Sequence, residues 1–148
     1  MKISTKGRYA LRLMIDVAEH AGEHPVRIRD IAQRQQISEK YLEQIVSVLN
    51  KAGFVRSIRG PQGGYRLMKK PEEYTAGSIL QLIEGNLAPV ACLESPENDC
   101  PRFAICPTLR LWKRIASAIH DVVESVTLAD LVAWEHELSG KEARIVPG

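Results

Sequence analysis

The sequence predicts a mainly α-helical protein with one small β-hairpin, arranged as a winged helix-turn-helix followed by a long C-terminal helix. Apolar residues recur at spacings of three and four over most of the 148 residues, which is the period of amphipathic helices. Two helical segments are separated by a tight turn near residue 37, and a glycine-rich hairpin follows them directly. A hairpin in that position is the wing of a winged helix.

Three helices are predicted before the hairpin. The first covers about residues 4–20, and the second covers about residues 28–35. The third follows Ser38, whose hydroxyl is suited to accept the orphan N–H groups of a first turn, and continues to Ala52 and Gly53. The second and third helices form the predicted helix-turn-helix.

The hairpin is predicted from alternation and turn chemistry. Residues 54–59 alternate apolar and polar side chains, residues 60–64 are the turn sequence Gly-Pro-Gln-Gly-Gly, and residues 65–67 alternate again. A phosphate-binding P-loop is excluded, because no Gly-Lys-Ser/Thr follows these glycines and no helix follows the hairpin directly. The winged helix-turn-helix region is therefore expected over residues 1–74.

Residues 75–148 are expected to hold a cysteine-containing loop and dimerisation helices. Thr75 is the expected cap of a short helix ending near Glu84, and the loop covers about residues 88–107. A long helix then begins at Pro107, and a last helix, capped by Thr127, is expected to end near Leu138. The long helix carries apolar residues at steps of 3, 4, 3 and 4, a stripe that favours a partner helix and hence a homodimer: Trp112, Ile115, Ile119, Val122 and Val126.

Charge is divided between the two regions. Residues 1–70 hold 14 Lys/Arg against 6 Asp/Glu, whereas residues 71–148 hold 6 against 12. The basic front region favours a polyanionic partner such as double-stranded DNA, although a lopsided solvated surface gives the same pattern. No run approaches the roughly 18 apolar residues of a membrane span, and no secretory signal opens the chain, so we expect a cytoplasmic protein without a membrane partner.

Candidate DNA-binding residues lie on the third helix and in the hairpin. The helix offers donors and acceptors suited to base edges and phosphates, and the hairpin adds an arginine and a glycine at its tip. On its own the helix is more typical of an ordinary solvated face, and the neighbouring hairpin arginines Arg56, Arg59 and Arg66 shift the balance to DNA. The candidate set is Ser38, Lys40, Tyr41, Glu43, Gln44, Arg59 and Gly60.

The candidate metal ligands are Cys92, Cys100 and Cys106, which all lie within 15 residues. Clustered cysteines in a cytosolic chain favour metal ligation or thiol reactivity over a disulfide framework. The spacing, Cys-x7-Cys-x5-Cys, differs from the Cys-x2-Cys pairs of zinc ribbons, and Cys106 precedes the expected N-terminus of the long helix, which favours a thiolate. Spacing alone leaves an iron–sulfur cluster, zinc and reactive thiols open.

Several motifs resemble the Rrf-type family of bacterial winged-helix regulators that includes IscR, NsrR and CymR, and the pattern is similar to that of the iron–sulfur cluster regulator IscR. The motifs are Lys6-Gly7-Arg8-Tyr9-Ala10, Tyr41-Leu42-Glu43-Gln44, Ser57-Ile58-Arg59-Gly60-Pro61 and Gly63-Gly64-Tyr65, continued at Ala76-Gly77, Cys92 to Trp112 and Thr127-Leu128. The resemblance implies a homodimer, a palindromic operator, and DNA contacts from Tyr41, Glu43, Gln44 and Arg59.

The resemblance also implies an iron–sulfur cluster on the three cysteines, with 2Fe–2S favoured over 4Fe–4S. In two respects the chain departs from the IscR pattern: the first cysteine interval is seven residues instead of five, and the position of the IscR-type histidine ligand holds Leu109. Leu109 leaves the fourth ligand open, or adds one more apolar residue to the dimer seam. Nearby alternatives in the sequence are Glu94, Glu97, Asp99 and Thr108, beside a partner residue, a water or a small thiol.

The sequence therefore predicts a DNA-binding transcription regulator, with a repressor favoured, that senses cluster status, oxygen or nitric oxide. The alternative is a cluster-free or zinc- or thiol-switched regulator of cysteine or sulfur metabolism, controlled by a partner protein. An enzyme is not expected, because no Ser/His/Asp grouping or radical-enzyme cysteine pattern is present. The operator and the regulated genes stay open.

Overall fold

The computed structural model describes residues 2–97 and 100–145, with side chains described up to Gly140. It has the predicted class, six α-helices and one antiparallel hairpin in this part of the chain. The helices are α1 (Thr5–Glu19), α2 (Ile28–Gln35), α3 (Glu39–Lys51), α4 (Ala76–Glu84), α5 (Pro107–Ser125) and α6 (Leu128–Ile145), and the strands are β1 (Val55–Ile58) and β2 (Gly64–Leu67).

The helix starts follow from local capping chemistry. The hydroxyl of Ser38 accepts from the backbone N–H of Tyr41, and that of Thr75 accepts from Ser78, as expected for N-caps. Thr127 and Asp130 form a reciprocal pair of side chain to backbone hydrogen bonds at the start of α6, at 3.1 and 2.9 Å. The predicted caps of α3, α4 and α6 are thus confirmed.

The end of α6 was predicted wrongly. We expected it near Leu138, but the helix continues to Ile145. A glycine inside a helix costs only about 1 kcal/mol relative to alanine, so Gly140 does not by itself stop one. The following residues, Lys-Glu-Ala-Arg at 141–144, are good helix formers, which favours continuation.

A single apolar core joins the N-terminal helices to the C-terminal ones. The buried face of α1 packs on α3, α4 and α6, and Leu13, Ile79 and Leu128 are each fully buried in the same cluster. The base of the hairpin closes on this core through Tyr74, which is 4% exposed. Its hydroxyl donates to the carbonyl of Phe54 at 2.7 Å and accepts from the backbone N–H groups of Met68 and Lys69.

None of the helices in the described residues is long and apolar enough to cross a bilayer.

Candidate nucleic-acid interface and cysteine loop

The predicted recognition residues lie on the solvent side of α3. Lys40, Glu43 and Gln44 are exposed, whereas Leu42 and Ile45 on the opposite side are fully buried. No hydrogen bond or ion pair with another described residue occupies the three exposed side chains. Their donors and acceptors therefore remain available to an outside partner.

Tyr41 is held edge-on against Tyr9 of α1, with ring centroids 5.7 Å apart and planes at 88°. The guanidinium of Arg12 lies over the Tyr9 ring, 5.3 Å from its centroid, and donates to both the side-chain and backbone oxygens of Gln35 at the end of α2. Arg12 and Tyr9 thus connect α1 to both helices of the helix-turn-helix. Sequence reasoning did not assign either a positioning role, because the contacts join residues far apart in the chain.

A buried carboxylate also fixes α2 on α1. Asp16 is fully buried, and Arg34 donates to its two oxygens from Nη2 and Nε at 2.8 and 3.1 Å. Gln35 Nε2 adds a third donor at 3.0 Å, and His20 Nδ1 lies 3.5 Å from Oδ1. The hydrogen bond to Asp16 raises the pKa of Arg34, partly opposed by burial. The core and this network together set the orientation of the helix-turn-helix.

The wing is attached along the segment between α1 and α2. Val26 forms a β-bridge with Tyr65, with hydrogen bonds of 2.9 and 2.8 Å. Arg66 donates to the backbone carbonyls of Gly22 and Glu23. Arg66 therefore attaches the wing to the link between α1 and α2, a role that the sequence did not indicate.

Arg59 stands apart from these contacts. Its side chain is exposed and has no hydrogen-bond or ionic partner in the described part of the chain. The next residue, Gly60, has φ of 120°, a backbone conformation that favours glycine, so this turn needs a residue without Cβ. The structure thus presents Arg59 at the edge of the wing's turn.

The cysteine loop places its thiols in different surroundings. Cys92 lies in a 3₁₀ turn, Ala91–Leu93, and lines a cleft with Phe103 and Lys113. Cys106 is the N-cap residue of α5 and lines another cleft, with Ile105 and Arg110. Cys100 is exposed.

Among the described residues, no three His, Cys, Asp or Glu side chains lie close enough together to hold a metal ion. The thiol donors suit iron or zinc chemically, but this arrangement does not form a common ligand set.

The surroundings of Cys106 favour its ionisation. Its Sγ lies 3.2 Å from the hydroxyl of Thr108, and this hydrogen bond is the main cause of a lowered pKa. The backbone N–H groups of Leu109 and Thr108 and the charge of Arg102 act in the same direction. A thiolate at this helix N-terminus is the form that ligates metals and reacts with electrophiles.

Leu109, at the position of the IscR-type histidine, is buried within the chain itself and is 6% exposed. The expectation that it lies in the dimer seam is therefore wrong, because its side chain is already covered by its own chain. Of the other nearby candidates for a fourth ligand, Glu94 and Glu97 are exposed, Thr108 contacts Cys106, and Asp99 lies outside the described residues.

Two residues of the apolar stripe predicted on α5, Ile115 and Val122, are exposed, and Leu111, which was not among the predicted residues, is exposed as well. Leu111 is 51% exposed, Ile115 36% and Val122 61%. Two residues of the expected stripe, Trp112 and Ile119, are half-buried, and Val126 lies just beyond the helix end. Exposed apolar residues that recur along one helix are typical of a protein–protein contact.

Comparison with known proteins identifies relatives over nearly the whole chain. The family model Rrf2, described as an iron-dependent transcriptional regulator, matches residues 3–134. CymR of Bacillus subtilis is 47% identical over 135 residues, covering 90% of this chain and 91% of CymR. IscR of Aliivibrio salmonicida is 42% identical over 132 residues, covering 89% of this chain and 77% of IscR.

Solved structures of both kinds of relative share the fold. The structure of B. subtilis CymR, described as the global cysteine regulator of that organism, matches with a TM-score of 0.76, covering 90% of this chain and 98% of CymR. The structure of T. potens IscR matches with a TM-score of 0.73 at 38% identity, covering 100% of this chain and 94% of that one. Relatives with different regulatory names therefore resemble this chain to similar degrees.

Proposed function

Because this chain belongs to the Rrf2 family of transcriptional regulators, we propose that it binds operator DNA through the exposed face of α3 and the turn of the wing. The observation that carries the proposal is the set of polar side chains left unengaged by the described fold: Lys40, Glu43, Gln44 and Arg59.

The chemistry of these side chains suits base reading in the major groove. Gln44 can donate and accept at adenine, Glu43 can accept from the cytosine amino group, and Lys40 can donate to guanine or phosphate. Ser38 and Tyr41 keep hydroxyl hydrogens for phosphates, with the backbone N–H groups of the α3 terminus beside them. Arg59, next to Gly60, fits a narrow minor groove beside the site read by α3.

A homodimer on a palindromic operator completes the proposal. The exposed stripe of Leu111, Ile115 and Val122 is the surface that we assign to a second copy of the chain. A twofold dimer presents its two recognition helices to DNA half-sites that lie about 34 Å apart, which is one turn of the double helix. A palindromic operator has the same twofold symmetry. In this arrangement the regulator acts as a repressor where its operator overlaps a promoter.

The DNA-binding proposal is tested by selecting operator sequences from random duplexes with the full chain and measuring variant affinities. Arg59→Ala and Gln44→Ala should each cost about 1–3 kcal/mol, and Gln44→Ala should also relax base preference in the half-site. Arg114→Ala, which removes the same charge from exposed α5, is the matched control. Wild-type affinity in both test variants would contradict the assigned DNA face.

We further propose that the cysteine loop holds an iron–sulfur cluster, 2Fe–2S in preference to 4Fe–4S, on Cys92, Cys100 and Cys106. Three soft donors within 15 residues, one of them a thiol with a lowered pKa at a helix N-terminus, support this proposal. Relatives at 39–42% identity carry the name of IscR, the cluster regulator that the cysteine pattern resembles. When bound, the cluster would supply the response to oxygen, nitric oxide or cluster supply.

Anaerobic purification with iron and acid-labile sulfide analysis tests the cluster. We expect a visible chromophore in the wild type and none in the Cys92/Cys100/Cys106→Ala triple variant. A Cys100→Ser variant separates the exposed thiol from the two half-buried ones. If the wild-type protein is colourless and iron-free but still binds its operator, the cluster proposal is refuted and the DNA-binding proposal stands.

A second mode of regulation, without a cluster, is favoured by one structural observation. The hydroxyl of Thr108 lies 3.2 Å from Cys106 Sγ and lowers the pKa of this thiol, and a CymR relative is as similar to this chain as the IscR relatives are. In this mode Cys106 acts as a redox-sensitive thiol, or a partner protein controls DNA binding. Operator affinity that changes with a thiol oxidant in iron-free protein would support it.

A further inference from the structure

The turn of the wing is fixed to α2 by a single arginine. Arg27, the N-cap residue of α2, donates from Nη2 to the backbone carbonyl of Pro61 at 2.7 Å. Within the described residues this is the only side-chain hydrogen bond that reaches the turn formed by residues 60–63. Pro61 is two residues from Arg59, so the contact lies next to the proposed minor-groove side chain.

The rest of the wing is held nearer its base. The bridge between Val26 and Tyr65 and the contacts of Arg66 with Gly22 and Glu23 fix β2 along the α1–α2 link. Beyond β1 and β2, which have four residues each, the turn makes few contacts with the body. A short two-stranded hairpin is marginally stable by itself, so the direction of its turn depends on such attachments.

We propose that Arg27 is a positioning residue for DNA recognition, which holds the wing's turn so that Arg59 reaches the minor groove in register with α3. This inference rests on the proposed DNA-binding function. A charged donor on a neutral carbonyl makes a stronger hydrogen bond than a neutral pair. Because Arg27 directly precedes Ile28, it fixes the turn to the first residue of the helix-turn-helix itself.

A direct phosphate contact by Arg27 is the competing explanation. In that case the binding free energy contributed by Arg27 would add to the contributions of the other DNA contacts. Arg27→Ala would then reduce the slope of log affinity against log salt concentration by about 1. If Arg27 acts through Arg59, the two contributions are coupled, and Arg27→Ala changes the salt slope little once Arg59 has been replaced. A double-mutant cycle separates the two cases, because coupling appears as non-additivity.

The experiment measures operator affinity for Arg27→Ala, Arg59→Ala, Gln44→Ala and the two double variants that contain Arg27→Ala, over a range of salt. We expect Arg27→Ala to weaken binding about 5- to 10-fold in the wild-type background, as for loss of one ordinary hydrogen bond, because water can partly replace this exposed contact. In the Arg59→Ala background its effect should fall below about twofold, whereas with Gln44→Ala the losses should multiply.

Arg29→Ala is the matched control, because Arg29 is exposed on α2 and has no hydrogen-bond or ionic partner in the described residues. If Arg27→Ala lowers operator affinity equally in the Arg59→Ala and Gln44→Ala backgrounds and reduces the salt slope, then Arg27 contacts a phosphate and the inference is overturned. Wild-type affinity in Arg27→Ala, with a clear loss in Arg59→Ala, overturns the role of Arg27 alone. Wild-type affinity in Arg59→Ala overturns the wing contact and the role of Arg27 together.

Discussion

Replacement of Arg34 by alanine should lower the stability of the fold at the junction between α1 and α2, and by more than the removal of an unpaired surface charge does. Arg34 supplies two of the three side-chain donors on the fully buried Asp16 carboxylate, and Arg34→Ala leaves that charge with Gln35 Nε2 and the weaker His20 contact. Breaking a fully buried ion pair costs about 3–5 kcal/mol. The Arg34 side chain is 36% exposed, so water can partly replace it, which lowers the expected cost to about 2–3 kcal/mol.

Thermal unfolding followed by circular dichroism measures this loss. In a chain of this size each kcal/mol corresponds to about 2–4 °C in Tm, so Arg34→Ala should lower Tm by roughly 4–12 °C. Asp16→Asn keeps the shape and a hydrogen-bond acceptor while removing the buried charge, and it should cost less than Arg34→Ala. Arg29→Ala on the same helix is the control and should stay within about 0.5 kcal/mol of wild type.

A Tm for Arg34→Ala equal to that of Arg29→Ala would refute the reasoning, because the buried carboxylate would then be satisfied without the arginine. A loss of stability larger in Asp16→Asn than in Arg34→Ala would also contradict it. That result would assign the main role to the hydrogen bonds of Gln35 instead of the ion pair.

Three further predictions concern the wing and the cysteine loop. Tyr74→Phe should cost about 1–3 kcal/mol, because it removes three hydrogen bonds of the buried hydroxyl and leaves the backbone N–H of Lys69 without its partner, whereas Met68 N–H and the Phe54 carbonyl keep their mutual hydrogen bond of 3.3 Å. Burial raises the pKa of Tyr74, so the stability contributed by its neutral hydroxyl is complete below about pH 10 and is lost as the pH rises above the raised pKa. The difference in unfolding free energy between the wild type and Tyr74→Phe should therefore shrink in that alkaline range. Thr108→Val should raise the pKa of Cys106, seen as slower alkylation at neutral pH, and unchanged rates would contradict the assigned hydrogen bond. Gly64→Ala would place a Cβ 2.5 Å from the carbonyl oxygen of Val26, so it should lower Tm, whereas Gly22→Ala, with open space around it, should not do so by a steric clash.

The sequence predicted those features that depend on neighbouring residues. The capping hydroxyl of Ser38 acts three residues ahead, and the alternation in the hairpin extends over a few positions, so both are readable locally. The expected end of α6 near Leu138 was wrong, because helix continuation through Gly140 depends on the favourable residues on both sides.

Long-range polar contacts could not be predicted in the same way. Arg27, Arg59 and Arg66 are alike in the sequence, and their different roles follow from which carbonyls the folded chain brings near them. Arg66 meets carbonyls more than 40 positions earlier, and Arg27 meets one 34 positions later. Hydrophobic periodicity carries no information about such pairs, because each arginine only has to lie on a solvated face to satisfy the pattern.

The cysteine loop shows how a sequence can specify a ligand chemistry without specifying an arrangement of ligands. Three neighbouring thiolates repel one another unless a cation compensates their charge, and ligand deprotonation is coupled to metal binding. The polypeptide alone therefore has no electrostatic reason to gather Cys92, Cys100 and Cys106, and the described residues do not gather them. The features that do not need a metal are already in place: Cys106 at the start of α5 and the buried Leu109 one turn later. The helix end is thus fixed, whereas the remaining donors belong to the loop, so iron and sulfide analysis of the purified protein decides between the two modes of regulation.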